Sequence, residues 1–150
     1  MKKIILWILV ISWMGVIFCL SNDNAVESTN KSRAIINNTK IIEKYDVSEN
    51  EKEIIITNAD NQLRKAAHSI VFCVLGFIVC FLLKEYNLKF VKIAIYCLLI
   101  CFLYSISDEC HQLFIDGRSA ELSDIILDNI GSIIGIIMFY LFGYKKWNKK

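Results

Sequence analysis

Proline is absent from all 150 residues, only two histidines occur, and no Cys-x-x-Cys pair or Cys/His spacing suited to zinc can be found among the six cysteines. Each absence excludes something. Without proline, nothing in the chain signals the discontinuous helices of many secondary transporters. Without a zinc spacing, Cys73, Cys80, Cys97 and Cys101 read as small apolar packing residues inside helices, while Cys19 and Cys110 fall at similar depth and are the one pair placed to bond. Internal repeats and low-complexity tracts are also missing, and no charge pattern points to nucleic acid.

What the chain has instead is apolar sequence. Hydrophobic residues make up 55% of it, and they gather into four runs of about the ~20 residues that ~30 Å of hydrocarbon requires. We expect an all-α integral membrane protein, a single domain over residues 1–150, with spans at about 4–20, 66–83, 93–110 and 122–142. A polar loop over 21–62 joins the first two. The third run is short in apolar residues, so its helix is expected to continue through the polar residues after Ser107. Lys2 and Lys3 precede the first run as in a signal peptide, but no small-x-small cleavage site follows, which favours an uncleaved anchor.

Lysine placement sets an expected orientation. With the N-terminus inside, the inner segments hold Lys2, Lys3, Lys84, Lys89, Lys92, Lys145, Lys146, Lys149 and Lys150, nine of the 17 basic residues, against one acid, Glu85. Both termini are therefore expected in the cytoplasm. In the loop, Ser48 and Glu51 have the spacing of a capping box ahead of a helix that leads into the second span, and Ile35, Ile36, Ile41 and Ile42 suit the membrane surface.

On this topology the ionisable residues of the spans collect at the outer ends. Arg64, Lys65 and His68 enter the second span; Asp108, Glu109, His111 and Gln112 leave the third; Arg118, Glu121, Asp124, Asp128 and Asn129 lead into the fourth. Glu121, Asp124, Asp128, Gly131 and Gly135 recur at alternating intervals of three and four, which puts them on one helical face. The last two form a GxxxG pair that permits close approach of a neighbouring backbone, or of a second copy of the chain. On the third helix Cys101, Tyr104, Ser105, Asp108, His111 and Gln112 share a face, and the two faces are expected to meet.

A carboxylate inside a span costs roughly 2.5–3.5 kcal/mol at mid-membrane, so Asp128 needs a partner. Two readings stay open. In one, the residues form a hydrogen-bonded clasp between helices. In the other, Asp108, Glu109, His111, Asp124 and Asp128 hold a divalent cation or run acid–base chemistry, while Arg64, Lys65, His68, Gln112, Arg118 and Asn129 bind a substrate, the cations being suited to a phosphate. Proton-coupled transport fits poorly, because no acid lies in the inner half of any span.

At these positions the sequence resembles the VanZ-like family of small bacterial membrane proteins. The resemblance rests on Asp108, Glu109, His111, Gln112 and Phe114, then Gly117 and Arg118, Asp124, Asn129, Gly131 and Gly135, with Arg64, Lys65 and His68 matching an earlier Arg-Lys-x-x-His element and Phe18 to Ser21 the end of the first span. Asp116 stands where the family often has proline. The resemblance implies a bacterial cell-membrane protein linked to low-level resistance to the glycopeptide teicoplanin, with no established reaction. A lipid-linked cell-wall precursor or the glycopeptide itself is the implied partner, beside the lipid bilayer.

Overall fold

The computed structural model describes residues 1–22, 29–30, 33–34, 48–116 and 120–144. Four α-helices account for most of them: α1 (Lys2–Ser21), α2 (Glu49–Lys84), α3 (Phe90–Gln112) and α4 (Leu122–Met138), the last continued by a π-helical end, Phe139–Tyr144. No strand occurs among the described residues. All four helices are long and apolar enough to cross a membrane, so the expected fold class holds. The surface loop residues Ile35, Ile36, Ile41 and Ile42 lie outside the described residues.

α2 begins where the capping box predicts. The Ser48 side chain accepts from the Glu51 backbone N–H while the Glu51 carboxylate accepts from the Ser48 N–H. From there the helix runs 36 residues without interruption, about 54 Å at ~1.5 Å per residue. It therefore outruns the hydrocarbon by about 24 Å, and the polar segment 49–62 is a helical extension of the second span rather than loop. α3 likewise continues past its apolar run to Gln112, as the sequence reading requires.

Packing follows from small residues. A Cβ built on Gly131 would lie 2.0 Å from the Ser69 carbonyl oxygen, one on Gly135 2.1 Å from that of Cys73, and one on Gly76 2.7 Å from that of Ser132. These backbones touch, so the GxxxG pair is the seam between α4 and α2. Around it the core gathers Phe72, Leu75 and Val79 of α2, Cys97 and Cys101 of α3, and Ile136 and Phe139 near the end of α4, all buried. Cysteine's small apolar side chain suits this crowded centre; Cys19 and Cys110 are exposed and unbonded.

α1 lies more loosely against the others. Only Val10, Ile17 and Ser21 are buried, and polar contacts along its length fix its position: Trp7 Nε1 donates to the Tyr86 hydroxyl at 3.0 Å, Trp13 Nε1 to the Val71 carbonyl at 2.9 Å, the Tyr104 hydroxyl to the Met14 carbonyl, and Ser21 Oγ to Asp108. Large apolar side chains such as Ile8, Ile95, Leu103, Ile126 and Ile137 cover the outside of the bundle, a surface that lipid solvates and water does not.

Candidate functional site

The ends of α1 and α3, the middle of α2 and the start of α4 converge at one end of the bundle, and the ionisable residues expected there are largely brought together. Asp108 is the hub. It is almost fully buried, and its Oδ2 accepts from Ser21 Oγ at 2.9 Å and from Gln112 Nε2 at 3.2 Å. His68 Nδ1 stands 3.8 Å from the same oxygen, an ion-pair separation if the imidazole is protonated. One α3 carboxylate thus gathers α1, α2 and its own helix. The other oxygen, Oδ1, is buried with no hydrogen-bond partner among the described residues.

Glu109, the next residue, is also buried and turns toward α4. Its Oε2 accepts the backbone N–H of Glu121, the N-cap residue of that helix, at 3.0 Å. An acid at a helix N-terminus satisfies an orphan donor and meets the positive end of the dipole. Glu109 therefore fixes where α4 starts relative to α3.

The carboxylate stripe of α4 faces α2. Lys65 Nζ lies 2.8 Å from Glu121 Oε2 and 2.7 Å from Asp124 Oδ1, and it donates to Ser123 Oγ at 3.0 Å. Ser123 in turn donates to one or other of the two carboxylates. Glu121 sits just outside the span, and Lys65 beside it holds its carboxyl below the usual carboxylate range, helped by Ser123. One turn deeper, Ser69 Oγ donates to the Leu127 carbonyl at 3.0 Å, and Ser132 Oγ donates within its own helix to the Asp128 carbonyl.

Asp128 is different from all of these. Its side chain is fully buried, and neither carboxylate oxygen has a hydrogen-bond partner among the described residues. Asp108, Glu109 and Asp124 are close enough to act on it through their charge. Asn129, its neighbour, bridges α4 to α3 instead, donating to Ser105 Oγ at 3.4 Å and to the Ile125 carbonyl at 2.7 Å. α3 and α4 touch through Asn129 and Glu109, which lie off the two expected faces, whereas Glu121, Asp124, Gly131 and Gly135 of the α4 stripe pack on α2.

Two expected members stand apart, and a third is not among the described residues. His111 is half-buried, its ring stacked on Phe18 of α1 with centroids 4.2 Å apart, and its Nε2 has no hydrogen-bond partner among the described residues. Arg64 turns back along its own helix to Asn61 at 2.6 Å, with Asp60 at 3.7 Å. Arg118 lies outside the described residues. Among the described residues no three His, Cys, Asp or Glu side chains are grouped so as to hold a metal ion. Ser21 is the member that spacing within α1 does not reveal, since its partner Asp108 lies 87 residues away.

A family model described as VanZ/LLP1 matches residues 6–143. No curated protein and no solved structure matches the chain. With the family model covering all four helices and the apolar bundle around a polar end, the chain belongs to the VanZ/LLP1 family and is a multi-pass membrane protein.

Proposed function

We propose that this end of the bundle is a recognition and acid–base site at the outer leaflet of the bacterial cell membrane. It would act on a lipid-linked phosphate or cell-wall component and so lower susceptibility to glycopeptides of the teicoplanin kind. One observation carries the reading: Asp128 is buried in an apolar bundle, and neither of its oxygens has a hydrogen-bond partner among the described residues. Burying a carboxylate without compensation costs several kcal/mol, and a residue kept at that cost is a functional-site hypothesis by default in a membrane protein.

In this reading Asp128 and the open oxygen of Asp108 accept hydrogen bonds or protons from the ligand. Ser21, Gln112 and His68 hold Asp108 in place, and Glu109 positions α4. His111, stacked on Phe18 and with no partner at Nε2 among the described residues, supplies the second acid–base group. Lys65, already clamped between Glu121 and Asp124, serves geometry, and Arg64 is held by Asn61 outside the cluster, so Arg118 is the cation proposed for a phosphate. The outer-leaflet position rests on the lysine distribution, which gathers at the opposite end.

The rival reading, a non-enzymatic membrane protein whose polar end is only a clasp for binding lipid, drug or an envelope partner, is favoured by the satisfied half of the cluster: Ser21, Gln112, Lys65 and Ser69. The two are separated by expressing the chain in a glycopeptide-susceptible host and measuring teicoplanin susceptibility of Asp128→Asn and His111→Ala at matched membrane abundance. The proposal expects both to return the host to the level without the protein. Unchanged protection would sink it.

A further inference from the structure

At the end opposite the acids, four helix ends border an open cavity of about 540 Å³. Lys2 from the start of α1, Lys84 from the last turn of α2, and Lys89 at the N-cap of α3 line it, together with Asn87 and Tyr144. Among the described residues that line it, the one acid is Glu85. The turn between α2 and α3 is shaped by Asn87, which takes a left-handed backbone at φ 55°, a conformation that asparagine adopts more readily than most residues. Lys84 lies 5.9 Å from the ring centroids of both Phe139 and Tyr144, so the π-helical end holds its stem and confines its ammonium group. α3 begins directly after Lys89, adding the positive end of its dipole.

We infer that this cavity binds a phosphate group, either the headgroup of an anionic phospholipid or free phosphate. Three lysines from three helices converge on a space of ligand size, with amide and hydroxyl donors from Asn87 and Tyr144 available for phosphate oxygens. The lysine distribution assigns this end to the cytoplasmic side, where anionic headgroups and basic inter-helix pockets meet. The inference stands independently of the acid cluster, since no residue is shared.

The test uses the purified full-length chain in mixed micelles. Thermal stability is titrated with dioleoylphosphatidylglycerol, with dioleoylphosphatidylcholine, and separately with inorganic phosphate against chloride at equal ionic strength. The expected result is saturable stabilisation by phosphatidylglycerol that weakens about 25-fold in Lys2→Gln/Lys89→Gln, roughly fivefold per lysine, equivalent to ~1 kcal/mol each. Both of those side chains are exposed, so the variant retains its packing; Lys84→Gln tests the half-buried lysine. Lys3→Gln/Lys92→Gln removes equal charge from the same end without touching the cavity lining and is expected to leave the response unchanged. Stabilisation by phosphatidylglycerol alone identifies a lipid headgroup, and stabilisation by phosphate as well identifies a site for the free anion. Equal stabilisation by phosphatidylcholine, no response at all, or the same response in both double variants would overturn the inference.

Discussion

Substituting alanine for Gly131 places a methyl group 2.0 Å from the Ser69 carbonyl oxygen and 2.9 Å from both its carbonyl carbon and its Oγ. Carbon and oxygen ordinarily sit more than ~3 Å apart, and a backbone carbonyl has no rotamer by which to yield, so α4 and α2 must separate by about 1 Å. Overpacking of this kind costs roughly 1–3 kcal/mol, or about 2–12 °C in Tm for a chain of this size. The separation also stretches Ser69–Leu127, now 3.0 Å, and Lys65–Asp124, now 2.7 Å, because both span the same seam. Gly135→Ala meets the Cys73 carbonyl at 2.1 Å and is expected to behave alike. Gly15→Ala is the control: nothing lies within 4 Å of its new methyl, and helix propensity favours alanine by ~1 kcal/mol. Thermal unfolding of the three purified variants in one detergent decides the matter. If Gly131→Ala melts with Gly15→Ala, the seam is not as described.

Two further outcomes follow from the same geometry. Lys65→Met removes the partner of Glu121 and Asp124; with all three side chains between a quarter and half exposed, the loss is ~1 kcal/mol or less and shrinks at high salt, measurable by melting in low and high sodium chloride. Because Lys65 lowers the Glu121 pKa, that pairing adds stability above the ordinary carboxylate range and loses it as pH falls through the depressed value. A pH scan of Tm is expected to show this acid-side loss in the native chain and less of it in Lys65→Met. At the other end, Asn87→Gly leaves stability nearly unchanged whereas Asn87→Val, forcing a β-branched residue to φ 55°, lowers it by ~1–2 kcal/mol; equal melting of the two would refute the turn's shape.

The crossings were legible because lipid imposes a simple length rule: apolar runs in the sequence correspond to α1 through α4, and α3 extends to Gln112 as its short apolar stretch demands. The start of α2 was legible too, in the Ser48–Glu51 box. Its unbroken passage through 49–62 follows from the lack of any glycine or proline between the box and the span. Spacing also put Asp124, Asp128, Gly131 and Gly135 on one face. Periodicity within a helix cannot name the helix opposite, and so the choice of α2 as the GxxxG partner emerges only from the contacts of Ser69 and Cys73. Ser21 was hidden for the same reason, its role set by a residue on another helix. Arg64 illustrates the converse: its position at the right depth did not bring it into the cluster, because Asn61, one turn away, captures the guanidinium.

If Asp128 awaits a ligand, as proposed, it is retained at a cost to stability, whereas in a clasp it would add to stability. Asp128→Leu keeps a similar volume and removes both buried oxygens, so its melting temperature in purified, ligand-free form tests the claim directly. An unpartnered buried carboxylate predicts a rise, equivalent to roughly 1–3 kcal/mol; a fall of similar size would mean that Asp128 holds the helices together, and would contradict the account.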